Sequence, residues 1–133
     1  MAVTLISGGT VVGPTGSSAA DVLVDGETIA AVLAPGSALL GDLTARADRI
    51  IDATGKYVVP GGVDGHTHMQ MPFGGTEASD TFETGTRAAA WGGTTTIVDF
   101  VVQAHGQKVQ DQVQLWHDKA GGNCAVDYAF HQI

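Results

Sequence analysis

His66 and His68 stand one residue apart in Pro60-Gly61-Gly62-Val63-Asp64-Gly65-His66-Thr67-His68, directly after an apolar extended run. Two imidazoles at this spacing can share a metal ion. Residues i and i+2 of a strand project to the same face about 6–7 Å apart along the chain. Each ring can then turn an Nε2 or Nδ1 toward one ion, about 2.0–2.1 Å away if that ion is zinc. On a helix the same spacing would splay the rings about 200° apart. The competing reading is a pair of strand histidines satisfied by ordinary hydrogen bonds. The glycine-rich entry, the neighbouring Asp64 and a place at the C-terminal end of a strand, where barrel enzymes carry their chemistry, favour the metal. Two histidines do not complete a catalytic zinc site, which usually takes three protein ligands and leaves a position for water.

The elements that must position this pair change character along the chain. Residues 5–12 read as a strand, Gly13-Pro14-Thr15-Gly16 as a turn and residues 20–24 as a second strand. Asp25-Gly26 supplies the positive φ of a tight turn into residues 28–32, giving a small antiparallel unit. Residues 33–48, containing Pro35-Gly36-Ser37, read as a surface connection, and residues 49–52 and 56–59 as further extended segments.

Beyond the histidines, helices alternate with strands. Asp80 with Glu83 three residues on makes a capping-box-like start, Phe82, Ala89 and Ala90 supply an apolar side, and Gly92-Gly93 gives a stop. Residues 94–100 are β-branched and strand-like. Val109, Val113, Trp116 and Ala120 recur at helical spacing before Gly121-Gly122, and residues 124–130 make a third strand. This order predicts an α/β fold with parallel strands and right-handed crossovers, either a doubly wound sheet or the start of a (β/α) barrel. A closed barrel takes eight strand-helix units and roughly 250 residues. The chain therefore reads as truncated, with open sheet edges and an exposed apolar face.

The 133 residues are 44% hydrophobic and 15% charged, enough for an ordinary core. A net charge of −8 opposes attraction to phosphate backbones and anionic membranes, so nucleic acid and membrane are not expected partners. No apolar run approaches the roughly 18–20 residues of a bilayer span, and the basic start of a signal peptide is missing, so the cytoplasm is the expected location. Cys124 is the only cysteine, which leaves no internal disulfide and no Cys-rich zinc site. With no base near it in sequence, it reads as a small strand residue and not a nucleophile. His105 reads as a solvated loop residue and His117 as a surface residue beside the apolar face of a helix.

Pro60-Gly61-Gly62-Val63-Asp64-Gly65-His66-Thr67-His68-Met69-Gln70-Met71-Pro72-Phe73-Gly74-Gly75 resembles the first barrel strand and following loop of the cyclic amidohydrolases, in the dihydropyrimidinase and D-hydantoinase branch. The resemblance continues through Thr84-Gly85-Thr86-Arg87-Ala88-Ala89-Ala90 and Gly92-Gly93-Thr94-Thr95-Thr96-Ile97-Val98-Asp99-Phe100. Toward the start, Gly8-Gly9-Thr10-Val11-Val12 and Ala20-Asp21-Val22-Leu23-Val24-Asp25-Gly26 are similar to the family's N-terminal β-sandwich segment. It implies a sandwich segment over residues 1–57 and, over residues 58–133, the first three strands and two helices of a (β/α)8 metallo-dependent hydrolase barrel.

The resemblance further implies a binuclear centre, usually zinc though other divalent metals occur, with His66 and His68 on the more buried ion. A carbamylated lysine, two more histidines and a catalytic aspartate would complete it from beyond Ile133; Lys108 and Lys119 lie on or beside a helix and are not assigned. The implied reaction is hydrolysis of a cyclic diamide to an N-carbamoyl amino acid, by a homo-oligomer (tetramer). This portion alone is expected to be inactive. Dihydroorotases carry an arginine after the residue matching Met69, to hold a substrate carboxylate. Here it is Gln70, which favours a ring without a carboxylate, such as dihydrouracil or a 5-substituted hydantoin. Met71 and Phe73 match hydrophobic members of the substrate lid, or else simply fill the barrel mouth. Asp64, which would share the inward alternation of the two histidines, and His131 are candidates for supporting them, against a structural hydrogen bond for Asp64 and ordinary packing for His131; Asp99 has a comparable ambiguity between site and packing. Two other readings remain: a non-catalytic assembly relative that has lost metal ligands, and a simple metal-binding α/β domain.

Overall fold

Strands β1 (Val3–Gly13) and β2 (Gly16–Asp25) form a long antiparallel hairpin, and β3 (Thr28–Leu33) returns along β2 after the two-residue Gly26-Glu27 turn. The computed structural model, which describes residues 2–133, divides into two units between Pro60 and Gly61. In the first unit β4 (Arg49–Asp52) and β5 (Tyr57–Val58) both pair with β1 in parallel. The sheet is therefore mixed, where the sequence suggested an antiparallel unit only. Leu5, Ala20, Val22 and Ala53 are its buried apolar residues. A bulge between Ile6 and Gly9 leaves the Ser7 hydroxyl and the Gly8 N–H free to donate to the buried Asp21 carboxylate at 2.7 and 2.8 Å.

Residues 33–48, expected to be a plain connection, include the short helix α1 (Leu40–Arg46). Asp42 in its first turn and Arg46 in its last complement the helix dipole. It buries no residue, so no apolar periodicity announces it.

The second unit contains β6 (Gly62–Thr67), the short hairpin β7 (Pro72–Phe73) and β8 (Thr76–Glu77), α2 (Phe82–Trp91), β9 (Thr94–Val101), α3 (Val109–Ala120) and β10 (Asp127–Gln132). Strands β6, β9 and β10 form a parallel sheet with β9 in the middle. Both helices cover one face of it. Phe82 of α2 and Trp116 and Ala120 of α3 pack on Ile97 and Val101 of β9. Of the apolar run before the histidines, Tyr57 and Val58 form β5, and the strand that carries His66 begins at Gly62.

Two boundaries move for identifiable reasons. α2 is capped by Thr81 and Thr84, each hydroxyl accepting the other's backbone N–H at 3.1 and 3.0 Å, and not by Asp80 and Glu83. β10 starts at Asp127 because the Ala125 N–H leaves the ladder and donates to the Thr86 hydroxyl at 2.9 Å. That hydroxyl, fully buried, donates in turn to the Phe82 carbonyl. Thr86→Val removes the partner of the part-buried Ala125 N–H, and we expect a loss of about 1 kcal/mol in urea unfolding with an unchanged slope.

Candidate metal centre

His66 ends up where the alternation required, but through a bulge. On β6 Asp64 stands opposite Ile97 and Thr67 opposite Asp99, three residues against two on β9. The extra residue re-aims the strand end, as bulges beside sites do. His66 and His68 then lie with their Nε2 atoms 3.1 Å apart and their rings edge to face at a centroid distance of 4.9 Å. Two donors each about 2.0–2.1 Å from one ion must be separated by about 2.9 Å for a right angle and about 3.4 Å for a tetrahedral one. The observed separation lies inside that interval, so the pair fits two positions of a metal site. Among the described residues no third histidine, cysteine or carboxylate joins them.

Beneath the pair lies Phe100, which the sequence did not single out. Its ring centroid is 4.4 Å from that of His66, 5.3 Å from His68 and 5.0 Å from His131, its neighbour in register on β10. The face of the sheet away from the helices thus presents three imidazoles around one phenyl ring. His131 stacks on Phe100 and reaches neither ligand candidate by a hydrogen bond. Asp64, separated from His66 by the bulge, accepts the His66 main-chain N–H at 3.1 Å and leaves the imidazole alone. Its expected alignment with the two histidines fails because the bulge breaks the alternation.

The residues after His68 turn sharply. Gln70 has φ +49°, rare for a residue with a side chain. Three bonds hold it there: its N–H donates to the Asp80 carbonyl at 2.8 Å, its carbonyl accepts Lys119 Nζ at 3.1 Å, and its Oε1 accepts the Phe82 N–H at 3.4 Å. The Gln70 amide therefore faces the start of α2. Met69 fills the space left by the absent side chain of Gly85, where a Cβ would come within 2.3 Å of its sulfur. Met71, half-buried, accepts the Ala78 N–H at 2.9 Å at the base of the β7–β8 hairpin. Gly74 and Gly75, with φ +58° and +81°, form the two-residue turn that leaves Phe73 75% exposed at the tip.

Asp99 is fully buried on the helix-facing side of β9, with no cationic partner among the described residues. One carboxylate oxygen accepts the Thr67 hydroxyl at 2.9 Å and the Met69 N–H at 2.7 Å; the other accepts its neighbour Phe100's N–H at 2.9 Å and Trp116 Nε1 at 3.2 Å. The sequence signal for it was strand alternation: Asp99 and Phe100, being adjacent, must serve opposite faces.

The Amidohydrolase family profile matches residues 57–120. The D-hydantoinase of Streptomyces coelicolor is 58% identical over 130 residues, covering 98% of this chain and 27% of that protein. The chain belongs to the amidohydrolase family. The rat dihydropyrimidinase is 45% identical over 129 residues, covering 96% of this chain and 24% of its own. Among solved structures, the dihydropyrimidinase of Brevibacillus agri superposes with a TM-score of 0.87 at 46% identity, over 98% of this chain and 27% of that one. This amidohydrolase chain spans about a quarter of the length of the curated relatives it matches. Its second unit has the α/β fold with which the family's (β/α)8 barrel is built, as the strand-helix order implied. The family is metal-dependent.

Cys124 is half-buried, and desolvation, with the Asp99 carboxylate nearby, pushes its thiol above the ordinary range. A raised pKa means less thiolate at a given pH. Iodoacetamide at pH 8 should therefore alkylate Cys124 of the folded chain several times more slowly than the same chain in urea.

Proposed function

We propose that this chain supplies the paired-histidine strand of a metal-dependent cyclic amidohydrolase that opens a dihydropyrimidine or 5-substituted hydantoin to an N-carbamoyl amino acid. The observation that carries this reading is the 3.1 Å separation of His66 and His68 Nε2 on the open face of the sheet. The names of the relatives, D-hydantoinase and dihydropyrimidinase, support the ring class. We assign His66 and His68 as ligands of zinc, in a two-ion centre whose other ligands come from residues this chain does not contain. When bound, divalent zinc lowers the pKa of a water and polarises an amide carbonyl, so that hydrolysis proceeds near neutral pH.

The chain's own residues then position and shield. Phe100 walls the pair from below and keeps water from that side. Met71 and Phe73 sit on the hairpin that follows, as a cover for the ring's exocyclic group. With the Gln70 amide at the start of α2, no cation follows Met69 to recognise a substrate carboxylate, in keeping with a neutral ring. Both imidazoles are present, which weighs against a non-catalytic assembly relative. We assign the cytoplasm as the compartment and a homo-oligomer, a tetramer, as the working form.

The test is a chimera in which these 133 residues replace the matching segment of the Streptomyces coelicolor D-hydantoinase. It should hydrolyse hydantoins and dihydrouracil. Lesions beside metal ligands already cost 10–100-fold, so His66→Ala should lower kcat/KM by more than about 100-fold and reduce bound zinc. A folded, zinc-loaded chimera that hydrolyses neither ring, or a His66→Ala variant as active as its parent, would refute the proposal. In the same chimera Phe73→Ala should shift the preference between a large and a small 5-substituent by about tenfold. An unchanged preference rules out the cover.

A further inference from the structure

We propose that Asp99 is the positioning residue for the histidine pair, acting from the opposite side of the sheet. The inference rests on the metal reading of His66 and His68. Thr67 lies between the two histidines and Met69 directly follows them, and both donate to the same oxygen of Asp99, at 2.9 and 2.7 Å. One atom thus grips the strand end at residues 67 and 69. Because neighbouring side chains alternate, holding Thr67 down toward α3 holds His66 and His68 up on the other face.

The second oxygen ties the grip to the frame. It accepts the Phe100 N–H, at the residue whose ring lies under both imidazoles, and Trp116 Nε1 from the core of α3. The carboxylate is fully buried, and no buried side-chain nitrogen or oxygen among the described residues lacks a partner. All four bonds use Asp99 as acceptor. An asparagine cannot replace it without loss. If its oxygen serves Phe100 and Trp116, its NH2 meets Thr67, whose hydroxyl can reverse and accept, and Met69, whose N–H cannot. Asp99→Asn therefore releases the Met69 anchor while keeping the shape of the side chain.

The experiment uses the 133-residue chain with Co2+ as probe, read by calorimetry and by the visible spectrum of the bound ion. Ring NMR signals of His66 and His68 in the metal-free chain give a readout independent of metal. Wild type should bind Co2+, and His66→Ala should abolish the binding. Asp99→Asn and Thr67→Val should each weaken Co2+ about tenfold, change its spectrum and shift the ring signals. Val113→Ala, which thins the same core from α3 without a bond to Asp99, should lower the unfolding midpoint and leave Co2+ affinity and ring signals unchanged. Thr67→Val keeps the test decisive should Asp99→Asn fail to fold. Wild-type Co2+ affinity and unmoved ring signals in a folded Asp99→Asn or Thr67→Val variant overturn the proposal, as does Val113→Ala disturbing both readouts equally. Absent Co2+ binding in wild type, or binding that survives His66→Ala, overturns the metal reading instead, and the ring signals still decide the role of Asp99.

Discussion

A carboxylate buried without a cation is costly unless its oxygens are supplied with donors, and Asp99 receives four. Those donors come from three elements: the end of β6 with the residues just after it, the C-terminal end of β9 and the core of α3. No apolar contact could join them with the same directionality. Hydrophobic packing of Phe82, Trp116 and Ala120 on Ile97 and Val101 brings the layers together, but it tolerates small slips. The hydrogen bonds at Asp99 remove that tolerance where the strand turns toward the imidazoles.

The same device occurs in the first unit. There the buried Asp21 carboxylate takes the Ser7 hydroxyl and the Gly8 N–H at a bulge in β1. In both places an extra residue frees backbone and hydroxyl donors from the ladder, and an aspartate on a neighbouring strand collects them. A bulge left without such an acceptor would bury unpaired N–H groups, each costing about 1–3 kcal/mol.

What the sequence made legible was what periodicity and turn chemistry encode. The hairpin of β1, β2 and β3, the extent of α3, and the parallel order of strands and helices follow from local patterns of apolar residues, glycines and β-branched residues. The histidine pair was visible because its spacing is itself the chemistry. Helix α1 was hidden because it buries nothing. The parallel pairing of β4 and β5 with β1 was hidden because partner choice is a long-range property, unmarked in the strands themselves. Which of its two roles Asp64 takes was hidden because a bulge changes the count of residues per face, and Phe100 was missed because an aromatic residue in a strand reads as packing until its neighbours across the ladder are known.

The bulge in β6 also sets how the chain can vary. Which face the imidazoles occupy depends on a count of residues, three against two, more than on the chemistry of Asp64 or Gly65. Substitutions within the bulge leave that count intact. Removing one residue from it would advance the strand by one step and turn both imidazoles toward the helices, with the sheet still able to pair. For this stretch, divergence by replacement is open and divergence by length is closed, while the loop before α3, outside every ladder, carries no such restriction.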